Sequence, residues 1–180
     1  MGNFSSTINI ILISFRTETK IIESHSCDGD NKAYDIGFSP DYSKPFILSM
    51  TIMTRSECNG CSGAIFSDRD DPNRVQILWH SDKKLDMRVS NLATAGAVKH
   101  FHTEPLIKNK KYDVAITYDG SKCKFLLNGN SLLTVDCANA FKNMNPLPML
   151  CHGGTDWGNG WNGIIENLRF RGSKHKGNLE

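Results

Sequence analysis

The sequence predicts an all-β fold in which two antiparallel sheets pack face to face as a sandwich. Short stretches of alternating apolar residues recur along the chain, and Gly, Pro, Asn and Asp stand between them. No segment carries apolar residues at i, i+3, i+4 and i+7 over three helical turns. Many short strands without intervening helices are typical of antiparallel sandwiches, whereas strands that alternate with helices indicate a parallel sheet.

The clearest strand in the first half of the chain covers residues 46–55. One set of alternating side chains is mostly apolar and the other is mixed, so one face should turn inward and the other outward. The inward set is Phe46, Leu48, Met50, Ile52 and Thr54, and the outward set is Ile47, Ser49, Thr51, Met53 and Arg55.

Turn residues place most other strands in hairpins. Asn59-Gly60 and Asn128-Gly129 suit the two positive φ angles of a type I′ turn, and Asp119-Gly120 ends a further strand. The remaining predicted strands cover residues 8–15, 63–67, 75–79, 85–89, 112–118, 122–127, 131–136 and 164–171. Only residues 138–144 are compatible with a short helix.

Length and composition fit one globular domain over residues 1–180. Hydrophobic residues make up 39% of the chain and charged residues 22%, which is near the average for globular proteins. The 21 basic and 19 acidic side chains leave a net charge of +2, so nucleic acid is not an expected partner. No apolar run reaches the roughly 18 residues of a transmembrane segment.

The N-terminal residues fit a lipid-modification pattern. Gly2 follows Met1, and Ser6 occupies the place that N-myristoylation requires. A single acyl chain would give only reversible membrane contact, because Arg16 and Lys20 do not form a basic cluster. No basic residue precedes the apolar residues 8–15, so we interpret them as a strand and not as a signal peptide.

The six cysteines leave two interpretations open. They stand at positions 27, 58, 61, 123, 137 and 151. They suit either a disulfide framework in an oxidising compartment or reduced thiols in the cytoplasm. Because a chain of this length folds without disulfides, we expect reduced, partly buried thiols. The expected location is cytoplasmic, with membrane association through Gly2 as a variant, ahead of secretion.

Two cysteine pairs carry more specific expectations. Cys58 and Cys61 flank a predicted turn, and we expect an unmetallated pair there ahead of a zinc site completed by His100 and His102. Cys123 should not bridge to the cysteine at position 137. A two-residue turn between their strands puts them on opposite faces, and a three-residue turn leaves them diagonal, beyond easy disulfide reach.

Three segments carry a resemblance to a known family. Residues 111–130, KYDVAITYDGSKCKFLLNGN, resemble a laminin G-like strand, Asp-Gly turn, strand and Asn-Gly turn. Residues 161–170 resemble the closing strand of the family, and residues 45–67 resemble its early strand pair. The resemblance spans residues 45–170 and implies a concanavalin A-like jelly roll. Such domains commonly bind glycans or proteins at loop rims or on a curved sheet, sometimes through calcium.

A glycine-rich loop is the predicted ligand site. Sugar C–H faces stack on indole rings, while amide and carboxylate groups bind sugar hydroxyls. The predicted ligand-binding residues are His152, Asp156, Trp157 and Asn159. Trp161 leads into the closing strand, and we expect it in the core.

Two acidic loops are alternative calcium sites, since calcium takes six to eight oxygen ligands. The first candidate contains Asp68, Asp70, Asp71 and Asn73, and the second contains Asp28, Asp30 and Asn31. Ordinary solvated turns are the competing explanation for both loops.

The sequence offers little for catalysis. Glucanases on this fold need closely spaced carboxylates, but Glu104 and Glu166 stand alone on their segments, and there is no G-x-S-x-G motif. We therefore expect a non-catalytic module that binds glycans, with calcium as a candidate aid. The alternative is a protein–protein interaction or adhesion module without glycan binding.

Overall fold

The computed structural model is a sandwich of two six-stranded sheets. It describes residues 18–29, 32–55, 63–70, 73–80, 82–90, 99–138, 141, 146–153 and 160–172. The first sheet contains β1 (Glu18–Asp28), β3 (Phe46–Thr54), β8 (Lys111–Tyr118), β9 (Lys122–Leu127), β10 (Asn130–Asp136) and β12 (Asn162–Arg171). The second contains β2 (Tyr34–Asp35), β4 (Gly63–Asp70), β5 (Asn73–Trp79), β6 (Leu85–Ser90), β7 (Lys99–His102) and β11 (Met149–Leu150).

Strand pairing is antiparallel throughout the described residues. The order is β1-β12-β3-β8-β9-β10 in the first sheet and β2-β11-β4-β5-β6-β7 in the second. The predicted all-β sandwich is therefore confirmed. In the described part of the chain, no helix has the length and apolar character needed to cross a bilayer.

Sequence patterns located the strands that have one apolar face. The segments predicted at 46–55, 63–67, 75–79, 85–89, 112–118, 122–127, 131–136 and 164–171 all form strands. By contrast, β1 was missed because this edge strand buries only Cys27 completely and is otherwise largely polar. Residues 8–15, the Asn59-Gly60 turn and most of residues 138–144 lie outside the described residues, while Ala138 and Phe141 are in turns.

The inner faces of the two sheets form one hydrophobic core. Burial alternates strictly along β3, and Phe46, Leu48 and Ile52 are almost completely buried, as the pattern predicts. At one end of the core, Phe46 packs between Phe170 and Phe141, with ring centroids 5.6 and 5.7 Å apart. Burial of each such side chain stabilises the fold by about 1.5–3 kcal/mol.

Trp161 fills the opposite end of the core, and its neighbours are closely packed against it. Its side chain is completely buried, and its Nε1 donates a hydrogen bond to Thr54 Oγ1 at 3.2 Å. A Cβ on Gly163 would lie 2.2 Å from the Trp161 ring, and one on Gly63 would lie 2.7 Å from the Trp161 nitrogen. The expectation that Trp161 is a core residue is confirmed.

A disulfide joins the two sheets at the edge formed by β1 in the first sheet and by β2 and β11 in the second. Cys27 of β1 is bonded to Cys151, which directly follows β11, across 124 residues of sequence. The expectation of reduced thiols is wrong for this pair, because the antiparallel pairing of both segments brings their Cα atoms to 5.5 Å.

The hairpin of β9 and β10 shows why register could not be derived from its turn alone. Asn128 and Gly129 have φ angles of 50° and 78°, as a type I′ turn requires. A bulge between Ser131 and Leu133 then shifts the register, so Cys123 pairs with Val135. The two cysteines therefore share a face and stand diagonally, which is the arrangement expected for a three-residue turn, and the prediction that no disulfide joins them is confirmed.

Both cysteines of this hairpin are buried thiols, and no disulfide joins them. A hydrogen bond with Cys137 and burial together raise the pKa of the Cys123 thiol well above its usual range. The Cys123 thiol consequently stays protonated and unreactive at neutral pH.

Replacing Gly163 with Ala should destabilise the protein by about 1–3 kcal/mol, because the new methyl group overlaps the Trp161 ring and the Met53 carbonyl oxygen. Chemical denaturation would measure the loss. The matched control is Gly129→Asn, since a Cβ there meets nothing within 4 Å and Asn tolerates a positive φ. Equal stability of Gly163→Ala and the parent would contradict the close packing described here.

Replacing both Cys27 and Cys151 with Ser should lower the free energy of unfolding by about 2–5 kcal/mol, because the cross-link closes a long loop. Thermal melts of the variant and the parent would measure this change. Peptide mapping after alkylation without reductant should leave both cysteines unlabelled in the parent. Labelling of both thiols in unreduced, unfolded protein would show that the bond is absent.

Candidate functional site

A groove of about 450 Å³ runs across the outer face of the first sheet. Because side chains alternate along a strand, the inward packing of β3 and β8 turns Ser49, Thr51, Asp113 and Ala115 outward. The groove is lined by Ser49, Met50, Thr51, Asp113, Val114, Ala115, Leu126, Gly129, Asn167 and Arg169. Its volume lies in the usual range for small-molecule sites.

Small side chains in the middle and irregular backbone at both ends shape this groove. Ser49 pairs with Ala115, so the side chains at the centre of the groove are small. On one side, Asn167 has a φ of 52° where β12 shifts its register against β3. On the other side, the Asn128 side chain accepts a hydrogen bond from the Asp113 nitrogen and ties the β9–β10 turn to β8.

The groove combines polar groups with an apolar floor. Thr51 Oγ1 donates to Asp113 Oδ1 at 2.6 Å, which fixes the carboxylate across the strand pair. Arg169 adds a guanidinium on the neighbouring strand, and Leu126 supplies apolar surface. Such a lining can hydrogen-bond hydroxyl groups while it contacts C–H surfaces.

The predicted ligand loop is described only at its ends. Asp156, Trp157 and Asn159 lie outside the described residues. His152 is half-buried, and its carbonyl oxygen accepts a hydrogen bond from the Ala64 nitrogen at 2.8 Å. At the other end, the Gly160 nitrogen donates to the Gly29 carbonyl oxygen at 3.1 Å.

Both ends of this loop are therefore held close to the end of β1. Cys151 anchors one end through its disulfide to Cys27, and Gly160 anchors the other next to Gly29. The two described ends of the loop thus lie at one rim of the sandwich. Its predicted ligand-binding role stays a prediction.

The first acidic loop separates into two environments. Asp68 is completely buried on the core side of β4, paired with Val75, and its Oδ1 accepts a hydrogen bond from the Leu147 nitrogen at 2.8 Å. Asp70 pairs with Asn73 at the end of the hairpin. The side chains of Asp70 and Asn73, and all of Asp71, lie outside the described residues. Calcium binding there stays a prediction.

In the core, Asp68 lies next to a second buried polar group, the hydroxyl of Tyr42. The Tyr42 hydroxyl is fully buried beside it, and burial together with the Asp68 charge raises the pKa of Tyr42 well above its ordinary value. Tyr42 therefore stays neutral through the physiological pH range.

The other predicted sites are described only in part. Asp28 is exposed at the end of β1, while Asp30, Asn31, Cys58, Cys61 and Gly2 lie outside the described residues. His102 lies beside His80 and Asp86, an association that no sequence motif indicates. His80 and Asp86 are separated by a tight hairpin, and only the pairing of β6 with β7 adds His102.

Comparison with known proteins gives similarity of structure alone. No protein-family model matches the sequence, and no curated protein matches it. The CBM40 of a Ruminococcus gnavus IT-sialidase, bound to α2,6-sialyllactose, superposes with a TM-score of 0.60 at 14% identity, covering 86% of this chain and 90% of that one. Mouse laminin α1 domains LG4-5 give a TM-score of 0.62 at 12% identity, covering 87% of this chain and 44% of that one.

A heptameric SAP-like pentraxin from Limulus polyphemus is also similar, with a TM-score of 0.56 and 13% identity over 82% of this chain and 75% of that one. These structures share the jelly-roll sandwich, so the chain has a concanavalin A-like jelly-roll fold. The resemblance read from residues 45–170 is confirmed at the level of fold. At these identities, the site chemistry must come from this chain's own residues.

Replacing Asp68 with Ala should destabilise the protein equally with calcium and with a chelator, because it removes the oxygen that accepts a hydrogen bond from the Leu147 nitrogen. The expected loss is about 1–3 kcal/mol. Thermal melts of parent and variant in both conditions would measure it. If calcium raises the parent's melting temperature and this increase disappears in the variant, Asp68 is a calcium ligand and the structural explanation is wrong.

Proposed function

We propose that this chain is a non-catalytic glycan-binding module and that the glycan lies in the groove on the first sheet. The supporting observation is the composition of that groove, where hydroxyl, carboxylate, amide and guanidinium side chains surround a short apolar floor. A sugar ring presents hydroxyls at its edge and C–H groups on its faces, and this lining complements both.

One side chain of the groove, Arg169, favours a glycan that carries a carboxylate. Arg169 can bind a carboxylate in two parallel hydrogen bonds, while Ser49 and Thr51 can bind neighbouring hydroxyls. Asp113 is already held by Thr51 and would accept hydrogen bonds from sugar hydroxyls. The CBM40 with the same fold is bound to sialyllactose. Sialylated oligosaccharides are therefore the first probes.

The rim loop is proposed as a second contact. Trp157 supplies an aromatic surface, and His152, Asp156 and Asn159 supply polar groups, on a loop anchored at both ends. In this proposal, calcium held by Asp70, Asp71 and Asn73 assists glycan binding, and the groove does not require it.

A protein–protein interaction would need a broader apolar surface than the groove provides. Among the described residues, the large apolar side chains that are exposed are Tyr34, Ile107 and Leu147, and they belong to three different segments. This distribution favours the glycan over a protein partner.

Replacing Ser49 with Trp should reduce affinity for sialyllactose by at least about 10-fold, which is about 1.4 kcal/mol, because the indole fills the centre of the groove. Calorimetric titration would measure the affinity, after an array of acidic and neutral glycans read with calcium and with chelator. The matched control is Thr117→Trp, which adds the same bulk to a half-buried outer position of β8 that does not line the groove.

A Trp157→Ala variant distinguishes the contribution of the rim loop to glycan binding from that of the groove. Weakened binding with an unchanged melting temperature assigns the rim loop a direct contact. If Ser49→Trp binds as well as the parent, the groove is not the site. If no glycan on the array is bound, the proposed ligand class is wrong and a protein partner takes its place.

A further inference from the structure

Two histidines and a buried carboxylate converge at one edge of the second sheet. In β6, Leu85 and Met87 face the core, so Asp86 between them faces outward, yet it is completely buried. Nε2 of His80 lies 3.3 Å from Asp86 Oδ2, and Nε2 of His102 lies 3.4 Å from the same oxygen. All three potential ligand atoms lie within 4.8 Å of one another.

The backbone holds these three side chains on, or directly next to, adjacent strands. His80 directly follows β5, and its nitrogen donates to the Lys84 carbonyl oxygen at 3.0 Å across the β5–β6 turn. His102 ends β7 and pairs with Asp86. The next residue, Thr103, is buried and exchanges hydrogen bonds with Leu85 at 2.9 and 3.0 Å. The cluster is therefore positioned by the sheet and not by flexible loops.

We propose that His80, Asp86 and His102 form a binding site for a divalent transition-metal ion of the zinc class. Tetrahedral zinc with bonds of about 2.0–2.1 Å keeps its ligand atoms about 3.3 Å apart. The two histidine-to-carboxylate distances of 3.3 and 3.4 Å match that spacing. Imidazole suits zinc, whereas calcium requires six to eight oxygen atoms. Three protein ligands leave one position for water.

Arg88 determines how strongly this site attracts a cation. Its Nε and Nη2 both contact Asp86 Oδ2, so the guanidinium neutralises the buried carboxylate in the metal-free protein. Because Arg88 contacts the same oxygen that would ligate the metal, its hydrogen bonds must move to Asp86 Oδ1 when the metal binds. Hydrogen-bonded ligating carboxylates are common around metal sites. Its positive charge lowers metal affinity, so the site should bind more weakly than one without a cation beside it.

A bound metal would join the ends of three strands. His80 follows β5, Asp86 lies in β6 and His102 ends β7, the edge strand of the sheet. Because the ion binds the folded arrangement, its binding free energy adds to the stability of the protein. The expected role is therefore stabilisation of an exposed sheet edge.

Cobalt(II) is the probe, because its visible spectrum reports coordination. The parent protein should show the visible bands of four- or five-coordinate cobalt without a thiolate charge-transfer band, and added zinc should remove them. His102→Gln and His80→Gln should each weaken binding by at least about 100-fold, since they remove a ligand. The matched control is His25→Gln, a half-buried histidine on the other sheet, which should bind like the parent.

Circular dichroism and melting curves establish that each variant is folded. The His102 side chain is 43% exposed, so its replacement should leave the fold intact. Three results would overturn the proposal: no cobalt spectrum in the parent at millimolar metal, an unchanged spectrum in both His102→Gln and His80→Gln, or a thiolate band that disappears in a Cys58→Ser/Cys61→Ser variant.

Discussion

The packing of β3 and β8 against the opposite sheet determines where the other side chains of the central strands point. Phe46, Leu48 and Ile52 are buried, and a strand alternates its side chains with a period of two. Ser49 and Thr51 must then face outward, and Asp113 and Ala115 must do the same on β8. A one-residue slip would bury Asp113 and expose Phe46, so the core fixes the groove.

The two ends of the sandwich are closed by different means. At one end, Trp161 occupies space that only glycine at positions 63 and 163 can leave free. At the edge formed by β1, β2 and β11, the Cys27–Cys151 disulfide joins β1 to the residue after β11. The short strands β2 and β11 contribute few hydrogen bonds there. The same disulfide anchors the rim loop, so the proposed second contact depends on a covalent constraint of the fold.

Sequence patterns predicted the strands that bury one face and failed where burial is small. The alternation in β3 and the Asn128-Gly129 turn were sufficient to place both elements. In contrast, β1 is a polar edge strand, and the register shift at Leu132 depends on packing and not on turn chemistry. Asp68 is likewise buried in the core, where it accepts a hydrogen bond from the Leu147 nitrogen, although Asp70 and Asp71 follow it in the sequence and suggested a solvated turn.

The groove and the histidine cluster could not be derived from the sequence for a common reason. Each contains residues that are distant in sequence and that meet only because particular strands are neighbours. Thr51 and Asp113 are 62 residues apart, and their hydrogen bond requires β3 to pair with β8 in one register. Asp86 meets His102 only because β7 continues the second sheet beyond β6.

These two surfaces also lie on opposite sides of the molecule, since each is on the outer face of a different sheet. The hydrophobic core of the sandwich separates them. Coupling would have to pass through the packed core, whose side chains are held in one arrangement by Trp161 and the aromatic residues around Phe46.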